Sequence, residues 1–141
     1  KAGVISGIRF SNITADAETG MIIWGYREDQ IRDIEFENVH FTLHSSPLSQ
    51  SYGGNFDLRP VADHQYAIFE HAIPGFYARN VQGLSFRNTA LEWKGEFEDF
   101  YTYGFHAEDV KKLRMDERSS FPPPPGSKED IKLTNNSLLN N

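Results

Sequence analysis

Four stretches of this chain follow one pattern: ISGIRFSNI (Ile5–Ile13), IRDIEFENV (Ile31–Val39), VQGLSFRNT (Val81–Thr89) and the looser VKKLRMDER (Val110–Arg118). Each has an apolar residue, two variable ones, an apolar residue, a variable one, then Phe or Met. Asn follows two places later in the first three copies. The inner apolar residues Ile8, Ile34, Leu84 and Leu113 are 26, 50 and 29 residues apart. The step of 50 reads as two steps of about 25 with one copy disguised by an insertion. IKLTNN (Ile131–Asn136) reads as a shorter last copy.

Apolar residues at alternate positions describe strands, and a strand-based period of this length predicts a solenoid or a propeller. A propeller blade needs about 40 residues and four strands, more than these units hold. The expected fold is therefore all-β, a parallel β-helix of about four to five coils, with strands of successive coils paired about 4.8 Å apart. A second strand recurs in each unit: GMIIWGY, GFYARNV and GFHAEDV, beginning at Gly20, Gly75 and Gly104. Alternation places Met21, Ile23, Phe76, Ala78, Phe105 and Ala107 inside, with Ile22, Trp24, Tyr77, Arg79, His106 and Glu108 facing out. The recurrent Asn12, Asn38 and Asn88 are expected as an internal amide stack at a corner, since Asn tolerates left-handed backbone. Asn12 in NIT also matches a glycan acceptor, for which Asn135 in NNS is the better candidate.

With 141 residues the chain makes one domain. Residues 1–118 are expected to form the β-helix, with a long insertion at 43–71, a Pro-rich spacer or strap at 119–130, and a short final strand or frayed tail at 131–141. Lys and Arg number 14 against 20 Asp and Glu, a balance of −6 without a basic run, which argues against nucleic acid. No apolar run approaches the roughly 20 residues of a membrane helix, so no membrane partner is expected. The absence of cysteine excludes disulfides and thiolate metal sites. The sequence begins at Lys1, which fits a processed product or a piece of a longer protein.

The stretch ISGIRFSNITADAETGMIIWGYREDQIRDIEFENVHFTL, followed by FDLRP and AIPGFYARNVQGLSFRNTALEW, resembles the C-terminal coils of the right-handed parallel β-helix proteins grouped with family 28 glycoside hydrolases, the polygalacturonase-like enzymes of bacterial type, which implies a right-handed parallel β-helix here. The resemblance covers roughly Val4 to Arg118. It implies inverting hydrolysis of a pectin-like or related uronide or galactoside glycan, and a secreted, periplasmic or cell-surface location. The family's catalytic aspartates lie in NTD, DD, GHG and RIK motifs, none of which occurs here. The implied role is thus the C-terminal part of a longer glycosidase, with the main acid/base pair outside this chain and this segment alone inactive. A family Tyr that contacts substrate after a G-I-V-I strand has its counterpart in Tyr26, after GMII.

Inverting glycosidases need two carboxyl groups about 6.5–9.5 Å apart. Glu108 is the one carboxylate on the outward face and the catalytic candidate, although a neighbouring Arg79 would favour its ionised form. Sugars pack their C–H faces on aromatic rings while cations and carboxylates take their polar groups. Trp24, Tyr26, Tyr77, Arg79 and His106 are accordingly the substrate-binding candidates. Trp93, Phe97, Phe100, Tyr101 and Tyr103 add rings on outward strand positions or in the EWKGEFEDFYTYG connection, which is expected to fold back and bury Phe97 and Phe100. Asp57, Arg59, Asp63, His64, Glu70 and His71 crowd the insertion, where Asp57 and Arg59 of FDLRP suit an ion pair that ties the loop down. Neither His64/His71 nor His40/His44 has persuasive metal-ligand spacing, so no metal and no cofactor is expected. The alternative is a non-catalytic carbohydrate-binding or self-associating module. The expected partners are a polysaccharide and, over the open N-terminal end, missing N-terminal coils or a second copy.

Overall fold

The computed structural model describes residues 3–47, 73–127, 129–135, 137 and 139–140. The insertion residues Asp57, Arg59, Asp63, His64, Glu70 and His71 lie outside them. Among the described residues the chain is all-β, with no helix, in strands β1 (Ile5–Ala17), β2 (Met21–Trp24), β3 (Ile31–His44), β4 (Ile73–Lys94), β5 (Tyr101–Met115), β6 (Glu129–Thr134) and β7 (Leu139–Asn140). Their order is β1-β3-β4-β5-β6, with β2 on β4 and β7 on β5, and every pairing is parallel.

The register follows the repeat. Ile8 lies beside Ile34, Ile34 beside Leu84 and Leu84 beside Leu113; Phe10, Phe36, Phe86 and Met115 align in the same way. Two expectations need correction. β3 pairs directly with β4 and β2 with β4, so the step of 50 residues is a single step of the sheet, with no strand between β3 and β4. IKLTNN is not a copy of the Ile8-type strand, because Ile131 pairs with Phe105 and Leu133 with Ala107, while Leu139 takes the place beside Leu113. Alternation alone does not say which of two strands a short segment continues. The sheet thus runs on past residue 118.

A straight strand of 22 residues such as β4 would span about 70 Å. Left-handed residues bend it. Three rows of positive φ run across the sheet: Gly7, Asp33, Gly83 and Lys112; Asn12, Asn38 and Asn88; and Asn80, Asp109 and Asn135. Each row falls at one position of the repeat, and Gly, Asn and Asp dominate because they enter this region most easily. The Asn amides do form a ladder, Asn88 Nδ2 donating to Asn38 Oδ1 at 2.8 Å and Asn38 Nδ2 to Asn12 Oδ1 at 3.2 Å. The ladder is exposed rather than internal, since the left-handed turn throws the side chain outward at the bend.

The inward rows build the core. Phe36, Phe86, Phe76 and Phe105 are 6% exposed or less, with Phe36 stacked on Phe86 and Phe76 on Phe105 at centroid distances of 5.4 and 5.3 Å. The Pro-rich segment closes over this core as a strap. Ser120 bridges to Ala90, and Phe121, 3% exposed, inserts its ring against Phe86 at 4.8 Å.

Candidate functional site

Two outward rows cross β2, β4, β5 and β6. One reads Ile22, Tyr77, His106, Lys132; the other reads Trp24, Arg79, Glu108, Thr134. Period-two alternation puts them on one face, and parallel register sets each side chain about one strand spacing from the next. Trp24, Arg79, Glu108, Tyr77 and His106 are thereby brought together.

The second row is chained electrostatically. The Arg79 guanidinium carbon lies 5.9 Å from the Trp24 ring centroid, and Arg79 Nε is 3.6 Å from Glu108 Oε1. Tyr77 donates its hydroxyl to Glu108 Oε2 at 2.7 Å, and Asn135 Nδ2 donates to Oε1 at 3.4 Å. With its oxygens engaged by Tyr77 and Asn135 and ion-paired to Arg79, Glu108 does not suit the general acid considered for it. Tyr26 packs edge-on to Trp24 at 6.2 Å and is 77% exposed.

Facing outward does not leave every ring open. Tyr77 and His106 are 1% and 6% exposed, which corrects the expectation of surface contacts there. Their rings pack together at 5.3 Å, Tyr103 lies 5.9 Å from His106, and His106 Nε2 is 3.0 Å from Thr134 Oγ1. Burial moves the His106 pKa down to about 4, with nearby Lys132 adding to the shift and Glu108 opposing it. Burial, then the bond to Glu108, pushes the Tyr77 hydroxyl well up. At neutral pH the pair is therefore an uncharged imidazole and a phenol that donates, a support for the row beside it. The open contacts are Trp24, Tyr26 and the partly exposed Arg79.

The sequence alone does not assign Lys132, Thr134 and Asn135 to this site, Asn135 being read there only as a glycan acceptor. The signal was present, since IKLTN aligns with FHAED of β5 and continues both rows. The remaining charged face is a lattice of ion pairs in which Arg9 meets Glu35 at 2.7 Å and Arg87 contacts both Glu35 and Glu37. His40 pairs with Glu92 and His44 with Asp16. Among the described residues no three His, Asp or Glu converge as a metal site would require. Comparison with protein families, with curated proteins and with solved structures gave no significant match.

Proposed function

We propose that this chain is a right-handed parallel β-helix segment that binds polysaccharide along the Trp24–Arg79 face, as the C-terminal part of a glycoside hydrolase resembling the polygalacturonase-like family. The carrying observation is the ledge of open rings, Trp24 and Tyr26, beside a guanidinium held in place by Glu108. An aromatic ledge receives the apolar face of a sugar, and the cation suits a carboxylate on it. The in-register rows and bent strands support the solenoid, and right-handed crossover is the rule for parallel connections. In this reading the acid and base lie outside the chain, because Glu108 is held by Tyr77, Arg79 and Asn135.

The test is a calorimetric titration with a galacturonate oligomer. Trp24→Ala and Arg79→Ala should each weaken binding by roughly tenfold or more. Unchanged affinity in both variants would remove this face as the binding surface. A non-catalytic, self-associating module is the second reading, favoured by the apolar residues that β1 leaves exposed, Ile5, Ile8, Phe10 and Ile13.

A further inference from the structure

Beyond the corner at Asn80, the outward face of β3, β4 and β5 carries a notch that the Trp24 ledge does not use. Glu35, Ser85 and Arg114 align across it, and the positive-φ residues Asp33, Gly83 and Lys112 form the row beside them. The middle strand thus contributes a floor of Gly and Ser. Carboxylates stand on one wall and cations on the other, two strand spacings or about 9.6 Å apart at the backbone. The cavity measures about 390 Å³.

The charges on the two walls are not equally spent. Glu35 is engaged by Arg9 and Arg87. Asp33, Lys112 and Arg114 enter no ion pair or side-chain hydrogen bond among the described residues. The Asp33 carboxylate overhangs the floor, since a Cβ at Gly83 would come within 2.9 Å of its Oδ1. Among the described residues Lys112 and Arg114 are thus uncommitted cations facing the uncommitted carboxylate of Asp33 across the notch.

We propose that this notch binds a small carboxylate with hydrogen-bond donors at its far end, the chemistry shared by a hexuronic acid and an α-amino acid. Arg114 and Lys112 take the ligand carboxylate, the guanidinium with a two-pronged fit. Asp33 accepts from the hydroxyls or the ammonium, and Ser85 bonds between them. A neutral sugar leaves both cations unpaired, and a phosphate meets Asp33 repulsively. The site goes beyond the polysaccharide ledge and stands if that reading fails.

The experiment is calorimetric titration of the whole chain with sodium galacturonate, serine and galactose in turn. Galacturonate or serine should bind and galactose should not. Arg114→Ala, at an exposed position, should weaken binding roughly ten- to hundredfold. Asp33→Asn keeps a residue suited to the left-handed backbone; it should abolish serine binding and weaken galacturonate less, which separates the two sources. Repeating the titrations on Trp24→Ala removes the contribution of the ledge, and serine, which has no sugar ring to stack there, reports the notch alone, so failure of the ledge is distinguishable. Equal binding of galactose and galacturonate, no binding of either carboxylate, or an unaffected Arg114→Ala variant would overturn the proposal.

Discussion

His106 shows how one buried ring ties the outward rows to pH. Its pKa falls from an ordinary 6.5 to about 4 because burial disfavours the imidazolium. Between those values the unfolded chain binds the proton and the folded chain does not. Stability from this residue is thus complete above pH 6.5, declines as pH falls, and levels off below 4. The shift corresponds to on the order of 3 kcal/mol. Gln at this position keeps a donor within reach of Thr134 but cannot titrate. His106→Gln is therefore expected to lose much less stability than the parent between pH 7 and 4.5, measured by urea midpoints. Asp16 and Asp116 are held below 3.8 chiefly by His44 and Ser119, so they act in a lower window and do not blur the comparison. A parallel decline in the two proteins would assign the acid sensitivity elsewhere.

At the scale of the element, the strap explains a glycine that strand pattern alone did not. Gly104 opens the inner part of β5, and the carbonyl of Phe121 passes so close that any Cβ there would overlap it. Trp93 Nε1 donates to Pro122 O at 2.8 Å and Ser127 Oγ to Thr102 O at 2.5 Å, pinning the segment on both sides of its prolines. Gly104→Ala should lift the strap and withdraw Phe121 from Phe86. It should then approach the roughly 3–5 kcal/mol expected for Phe121→Ala and open residues 119–127 to limited proteolysis. A Gly104→Ala protein with parental stability and protease resistance would show that the strap holds nothing. The docking was not legible in the sequence, because proline fixes an extended backbone without saying where it lies, and Phe121 belongs to no period. Register and facing were legible, since Ile8, Ile34, Leu84 and Leu113 repeat one packing problem at one position. Of the site, the rows could be read from alternation, but not the burial of Tyr77 and His106. That depends on Tyr103 and on β6, whose short sequence matches two strands equally well.

Across the whole molecule the two sides of the sheet are unequal. Ile31, Ile34, Phe36 and Val39 of β3 are 8% exposed or less, whereas their partners Ile5, Ile8, Phe10 and Ile13 on β1 are 36–51% exposed. β1 pairs only with β3 among the described residues, and a hollow of about 260 Å³ opens beside it, lined by Phe10, Ile13, Met21, Ile22 and Phe36. Unpaired strand edge and contiguous apolar surface both favour association. The net charge of −6 opposes it through repulsion between copies. Salt screens that repulsion and leaves the apolar term in place, so association should strengthen as salt rises, the reverse of an interface built on ion pairs. Sedimentation velocity should accordingly show a weight-average mass that grows with concentration and with salt. Ile8→Lys puts a charge in the middle of the exposed row, at a residue already 38% open, and should return the chain to monomer with little loss of stability. A parent that stays monomeric at every concentration, or a variant that associates equally well, would mean that the β1 edge is not the sticky surface.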